Sequence, residues 1–178
     1  MSTGHGKITI LPTLKLTRMP DCCDCGKPQN YKDCCSPLHQ GQAIAESAEQ
    51  LMRSRYSAFA RGDVTYIVNT QTALPVKASR EELEQDLTAV QWLKLEVLSH
   101  TVVSQTKALV EFCAYALSVT GNQKQLIQHH EHSEFYRQDQ QWLYKQGQIM
   151  PDSGQIKWPR NHQCVCGSGR KYKQCCGD

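Results

Sequence analysis

The chain has 178 residues, of which 39% are hydrophobic, so it can form one principal domain with a buried core and small appendages. Its formal net charge of +3 is too small for a generally basic nucleic-acid-binding protein. No apolar run is long enough to cross a membrane, which argues against a membrane-spanning protein.

Residues 1–21 are predicted to form an N-terminal extension. Four residues interrupt its apolar stretch: Lys7, Pro12, Lys15 and Arg18. The stretch is therefore too broken for the apolar region of a secretory signal. We expect a cytoplasmic protein, in which clustered thiols stay reduced.

Residues 22–38 contain the first cysteine cluster. Its pattern is Cys-x-Cys, eight residues, then Cys-Cys, formed by Cys23, Cys25, Cys34 and Cys35. Cys22 lies beside Cys23 and could replace it, although the spacing favours Cys23.

Residues 39–150 are predicted to form the central domain, and its first part reads as helical. The spacing of apolar residues predicts a helix over 46–60, and Asp63 can cap a short helix that ends at residue 67. A capping box at 79–82 predicts a third helix. The residues expected to face inward are Leu51, Met52, Tyr56 and Phe59 in the first helix, and Leu83, Leu87 and Val90 in the third.

The second part of the central domain reads as an antiparallel meander. Four strands are predicted, over 92–103, 107–119, 124–137 and 141–146, with hairpin turns at 121–122 and 139–140. Helices followed by a meander predict an α+β fold in which helices cover one face of the sheet. Cys113 lies in an apolar run, and we expect it to be a small buried hydrophobic residue.

A linker over 151–161 is predicted to lead to a second cysteine cluster at 162–178. This cluster repeats the first pattern with Cys164, Cys166, Cys175 and Cys176, and a glycine follows the second cysteine in both copies. Four soft ligands in a short segment suit a tetrahedral metal site better than disulfides in a cytoplasmic protein. The expected metal is zinc, two ions per chain, with iron as the alternative.

Four cysteines close the coordination shell, so both sites are expected to be structural rather than catalytic. Two zinc tetrathiolates would lower the formal charge to −1, because eight thiolates outweigh two dications. The first copy has Lys27-Pro28 where the second has Ser168-Gly169. We expect the first site to be weaker, or more dependent on packing against the rest of the chain.

The second cluster lies at the positive end of the molecule. Arg170, Lys171 and Lys173 surround its cysteines, whereas residues 36–156 carry ten basic and thirteen acidic side chains. These three cations are candidate docking residues.

One strand is predicted to carry polar side chains into the domain. His129, Glu131 and Ser133 alternate with the outward-facing His130, His132 and Glu134. Glu131 and His129 are weak catalytic candidates, because a buried Glu beside a His can transfer protons. A satisfied polar patch is the favoured interpretation, and an outward metal site at 130–132 is a weaker alternative.

Arg55 lies on the apolar stripe of the first helix. We expect it to form a buried ion pair with Glu131 that holds the pKa of the carboxyl low. The alternative is that Arg55 extends along the helix edge to solvent.

The segment from Cys164 to Cys176 resembles the SEC-C motif, the zinc knuckle at the C-terminus of the SecA translocation ATPase. Together with residues 51–59, the two knuckles resemble the bacterial YchJ family over nearly the whole chain beyond residue 20. The resemblance implies a nuclear transport factor 2-like (cystatin-like) cone in the middle and metal ligands at all eight clustered cysteines. In SecA the knuckle contacts the SecB chaperone and the ribosome.

Three functions are therefore open. The favoured hypothesis is an adaptor without enzymatic activity, whose zinc knuckles dock on a protein partner such as SecB or on the ribosome. The second is a small-ligand-binding protein or enzyme that uses a pocket in the cone. The third is RNA binding through the basic C-terminal knuckle.

Overall fold

The computed structural model describes residues 22–72, 84, 87, 89–120 and 123–177. The described helices are α1 (Ser36–His39), α2 (Ala48–Arg61) and α3 (Val64–Asn69), with single 3-10 turns at Tyr31–Asp33 and Tyr172–Gln174. The strands are β1 (Val90–Val102), β2 (Lys107–Thr120), β3 (Gln123–Gln138), β4 (Gln141–Ile149) and the short β5 (Gly154–Gln155).

The four long strands form an antiparallel sheet in the order β1-β2-β3-β4, and β5 pairs with β3 beside β4. The turn between β3 and β4 uses Asp139 and Gln140, both with positive φ, as predicted. Irregularities interrupt the β1–β2 register at two places and the β3–β4 register at Glu134/Phe135. Such bulges bend the sheet around the helices.

Helix α2 covers one face of the sheet. The Ser47 side chain caps its first turn by accepting from the Gln50 amide, and Gly62, at φ 73°, ends it. Leu51, Met52 and Tyr56 pack against alternate residues of β2, as the helical spacing predicted.

The opposite face of β2 is also buried. Cys113, Tyr115 and Leu117 contact the segment that follows β4 and the second cysteine cluster, through Ile156 and Trp158 among others. Burial on both faces explains why β2 is apolar almost throughout rather than alternating.

The predicted α+β layout is confirmed, with strand and helix ends within a few residues of the expected ones. The segment expected to be a linker is structured, since it contributes β5 and the Ile156 amide donates to the Leu126 carbonyl. Val90 was wrongly placed on the third helix; it begins β1.

Some predicted features lie outside the described residues, namely residues 1–21, the turn at 121–122 and most of the third helix. Leu87 of that helix is described and is buried, as expected. No helix among the described residues has the length and apolar character needed to cross a membrane.

Candidate metal centres and the central cavity

The structure brings the eight predicted cysteines together in two groups of four. Cys23, Cys25, Cys34 and Cys35 form the first group, and Cys164, Cys166, Cys175 and Cys176 form the second. Within each group all sulfur atoms lie within 4.8 Å of one another. Cys22 is exposed and lies outside the first group.

The sulfur spacing fits a metal tetrahedron. Within the first group, Cys34 Sγ lies 3.6 Å from Cys25 Sγ and 4.0 Å from Cys35 Sγ, and the equivalent distances in the second group are 3.5 and 4.0 Å. Four sulfurs around zinc at about 2.3 Å would lie about 3.8 Å apart, whereas disulfide sulfurs lie about 2.0 Å apart. All ten cysteines are free thiols.

Crowding and burial shift the pKa values of these thiols in both directions. Hydrogen bonds lower the pKa of Cys23, and they outweigh burial to lower that of Cys175 to about 7. The hydrogen bond with Cys23 raises the pKa of Cys25 to about 12, and burial raises the pKa of Cys34 and of Cys166. A divalent ion reverses this effect, because a coordinating thiol loses its proton. The donor set therefore suits a divalent metal.

The two groups share one backbone geometry. Gly26 and Gly167 have positive φ and each donates its amide to the carbonyl of the first cysteine at 3.1 Å. The 3-10 turn that begins at each tyrosine then delivers the adjacent cysteine pair. We call the first segment, residues 22–38, the N-knuckle and the second, residues 162–177, the C-knuckle.

Polar contacts with α2 fix the N-knuckle. Arg53 Nη1 donates to the Cys25 carbonyl at 2.9 Å, and Arg61 pairs with Asp24 while its guanidinium lies over the Tyr31 ring at 3.3 Å. The first site thus has contacts with the rest of the chain, and its lower strength or greater dependence on packing than the second site stays a prediction.

The C-knuckle supplies its own donors and packs on the sheet. Ser168 Oγ lies 3.3 Å from Cys175 Sγ, and Arg170 Nη2 donates to the same sulfur at 3.5 Å. Val165 and the cysteines bury against β1, β2 and β3. Arg170, Lys171 and Lys173, the predicted docking residues, are exposed.

The two knuckles meet across β1. A cleft of about 170 Å³ is lined by residues 22–24 and Gly26 on one side and by 166–168 on the other, with residues 93–95 between them. The Leu95 carbonyl lies 3.5 Å from the position that a Cβ on Gly26 would occupy. This proximity could not be predicted from the sequence, since 128 residues lie between Cys35 and Cys164.

A separate cavity of about 350 Å³ opens between α2 and the face of the sheet that it covers. His129, Glu131 and Ser133 all line it, which confirms the predicted inward column. Aromatic residues from α2, β1 and β2 form much of its remaining wall: Tyr56, Phe59, Trp92 and Phe112.

Arg55 also lines this cavity, but the predicted ion pair with Glu131 is wrong. Its Nη1 donates to the Ile67 carbonyl and to Thr70 Oγ1, both at 2.7 Å, and the guanidinium lies 4.8 Å from the Tyr144 ring centre. Extension to solvent is wrong too, since Arg55 is 6% exposed. A carbonyl in the last turn of α3 took the place of the expected carboxylate.

Glu131 is held by His129, Ser133 and Tyr144 rather than by the guanidinium. Burial acts to raise its pKa, but hydrogen bonds with His129, Ser133 and Tyr144 outweigh burial and lower it. The carboxylate lies against Gly147 of β4, where an added Cβ would fall 2.0 Å from Glu131 Oε1. Gly147 is thus required by the close approach of this side chain.

The outward column makes polar contacts on the other face. His130 Nε2 lies 3.0 Å from Glu111 and its Nδ1 lies 2.7 Å from Asp152. Only the two cysteine groups could hold a metal ion among the described residues, so the alternative site at 130–132 has no support. Cys113 is buried, as predicted, and burial raises the pKa of its thiol.

Two family models match the chain. The one described as the YchJ middle NTF2-like domain covers residues 47–147, and the SEC-C motif covers residues 160–178. A UPF0225 protein of Photorhabdus laumondii is 40% identical and aligns over 89% of this chain and 100% of its own length. A UPF0225 protein of Geobacter sulfurreducens is 37% identical over 89% and 99% of the two chains.

Two solved structures of SEC-C motif proteins are similar. The solution structure from Rhodopseudomonas palustris has 32% identity and a TM-score of 0.63, covering 73% of this chain and 98% of that one. The crystal structure from Psychrobacter arcticus has 33% identity and a TM-score of 0.58, covering 89% and 96%. The protein therefore belongs to the YchJ (UPF0225) family, with an NTF2-like middle domain and a SEC-C motif.

Proposed function

We propose that this protein is a zinc-binding adaptor, in which the C-knuckle docks on an acidic surface of a protein partner. The observation that carries the proposal is the orientation of the C-knuckle. Its apolar side is buried on the sheet, while its basic side chains, Arg170, Lys171 and Lys173, remain exposed.

The exposed cations have no carboxylate partners within the described part of the chain, because none of its salt bridges involves them. Arg170 also donates to the Cys175 sulfur, so Lys171 and Lys173 are the cations most available to an acidic surface, and such complementarity steers encounter. By resemblance to the SecA knuckle, SecB and the ribosome are the first partners to test.

Zinc is the proposed metal at both sites, because a closed tetrathiolate shell with no redox change suits a structural role. Elemental analysis of protein purified without added metal should give about two zinc ions per chain. Iron in place of zinc would change the metal but keep the sites. Less than one equivalent of zinc and iron together would contradict the metal assignment.

The docking proposal is tested with purified SecB and with 70S ribosomes. Lys171→Glu with Lys173→Glu should weaken binding and its dependence on salt, because neither residue is a metal ligand. The matched control is Asn30→Glu with Lys32→Glu, at the equivalent positions of the N-knuckle, which should bind as the unmodified protein does. Equal binding by both variants would contradict docking through the C-knuckle. Ribosome binding that persists after ribosomal proteins are removed would favour RNA recognition instead.

A further inference from the structure

The cavity between α2 and the sheet contains a buried cation whose charge is incompletely compensated. Arg55 is 94% buried by its 6% exposure, and its side chain forms part of the cavity wall. Burial lowers the pKa of Arg55 to about 10, so the guanidinium is still charged at neutral pH.

The described partners of Arg55 do not accept from all of its N–H groups. Nη1 uses both of its hydrogens on Ile67 and Thr70, while Nη2 has one distant partner, Gln71 Oε1 at 3.5 Å. Nε donates to none of the described residues. A guanidinium has five N–H groups in a planar fork that matches a carboxylate. Among the described residues, Arg55 therefore has N–H groups left over and no hydrogen bond to an anion.

Glu131 is the opposite case. Its Oε1 accepts from Ser133 and Tyr144, and its Oε2 contacts His129 Nε2 at 2.8 Å. Three donors already compensate this carboxylate, and Tyr144 lies between it and Arg55. The cavity has a satisfied anion on one side and an incompletely satisfied cation on the other.

The rest of the wall is apolar and aromatic. Phe59, Trp92 and Phe112 lie around the cavity together with Met52. A volume of about 350 Å³ lies at the small end of the range of about 300–1,000 Å³ for ligand sites. A compact apolar body fits such a space.

We propose that the cavity binds small monocarboxylates with an apolar body, and that Arg55 receives the carboxylate while the aromatic wall encloses the body. This site is separate from both knuckles and does not depend on the docking function. The ligand supplies the anion that Glu131 cannot supply, because Glu131 is already engaged by its three donors.

The test compares benzoate with its neutral isostere benzamide. Binding is followed by methyl NMR at Met52 and Ala114, which line the cavity, with the exposed Val102 as the reference. Benzoate should shift both cavity methyls and bind about tenfold more tightly than benzamide, since a charged hydrogen bond distinguishes the two. Equal affinities, or no shift at tens of millimolar ligand, would overturn the proposal.

Two variants locate the interaction. Arg55→Met should abolish the preference for benzoate over benzamide, whereas Arg53→Met, on the same helix but outside the cavity, should retain it. Because Arg55→Met can also impair folding, Glu131→Gln provides an independent test. Removing this negative charge should tighten benzoate and leave benzamide unchanged. If Glu131→Gln changed the affinities for benzoate and benzamide equally, an anion site at Arg55 would be contradicted.

Discussion

The two knuckles have the same cysteine spacing and the same turns, yet they are attached to the central domain by different kinds of interaction. The cysteine cluster of the N-knuckle contacts α2 through hydrogen bonds and charges, at Arg53 and Arg61, and Leu38 at the end of the segment joins the apolar core. The C-knuckle is attached by apolar burial, through Val165, Ile156 and Trp158 on the outer face of the sheet.

This difference separates what the motif determines from what its surroundings determine. The paired cysteines and the positive-φ glycines set the local geometry in both copies. Anchoring depends on residues far away in the sequence. Apolar burial contributes stability roughly in proportion to area, whereas partly exposed ion pairs contribute little. We therefore expect the C-knuckle to be coupled more strongly to the folding of the central domain.

Loss of a metal ligand should give the largest effect. Cys25→Ser and Cys176→Ser should each lower the zinc content from about two to about one per chain, because a tetrathiolate site loses a ligand. Structural zinc contributes about 10 kcal/mol or more to a small metal-dependent fold, so the affected knuckle should unfold locally.

The two variants should then differ in what they expose. Cys176→Ser should uncover Leu117 and Leu126 on the sheet and increase the fluorescence of an added hydrophobic dye. Cys25→Ser should increase it less, because the cysteine cluster of the N-knuckle contacts the charged side chains of Arg53 and Arg61 rather than an apolar face. Equal dye binding by both variants would show that the anchoring difference has no energetic consequence.

Removing an apolar contact between the C-knuckle side and the sheet should have the second largest effect. The Trp158 ring meets Tyr115 edge-on at 6.1 Å, and its Nε1 donates to the Gln163 carbonyl at 2.9 Å. Trp158→Ala should lower the free energy of unfolding in urea by about 2 kcal/mol, because this side chain is partly buried. Trp158→Phe keeps the ring contact and should lose less. An unchanged urea midpoint in Trp158→Ala would show that the ring does not hold the C-knuckle.

Removing a polar anchor should cost less. Arg61→Met deletes both the ion pair with Asp24 and the contact with the Tyr31 ring, together about 1 kcal/mol. A chromogenic chelator should then remove zinc faster from the N-knuckle and at an unchanged rate from the C-knuckle. Arg61→Lys keeps the charge, so its rate of zinc release from the N-knuckle should lie between those of Arg61→Met and the unmodified protein. Faster release from both knuckles would indicate general destabilisation rather than loss of a local anchor.

Much of the fold and both cysteine groups could be predicted from the sequence, because they depend on short-range patterns. Alternating residues around Glu131 predicted which side chains face inward, and Asp139-Gln140 predicted the turn between β3 and β4. These features depend on the two-residue period of a strand and on turn chemistry.

The partner of Arg55 could not be predicted in the same way. The spacing placed Arg55 on the apolar stripe of α2 and left its burial open. The Ile67 carbonyl that accepts from it belongs to α3, and its position beside Arg55 depends on how α3 packs on α2. Charge alone favoured Glu131, although hydrogen bonds with His129, Ser133 and Tyr144 already satisfy that residue. The approach of the two knuckles across β1 likewise depends on packing between elements distant in sequence. Residue 147 did carry a usable signal, since a glycine within a strand often marks a close approach.

The smallest expected effect is a pH dependence confined to the C-knuckle side. His130 joins Glu111 of β2 to Asp152, which begins the segment leading to the C-knuckle. Burial acts to lower the pKa of His130, but hydrogen bonds with Asp152 and Glu111 outweigh it and raise the pKa. Because the folded pKa exceeds the unfolded value of about 6.5, the stability that protonated His130 contributes is complete below about pH 6.5 and is lost as the pH rises through the folded pKa.

The Ile156 amide, which donates to Leu126, should therefore lose protection from hydrogen exchange above about pH 6.5, after correction for the intrinsic rate. His130→Gln should remove this trend and leave the N-knuckle unaffected. Protection that increases with pH, or a trend that persists in His130→Gln, would exclude His130 as a link between the sheet and the C-knuckle.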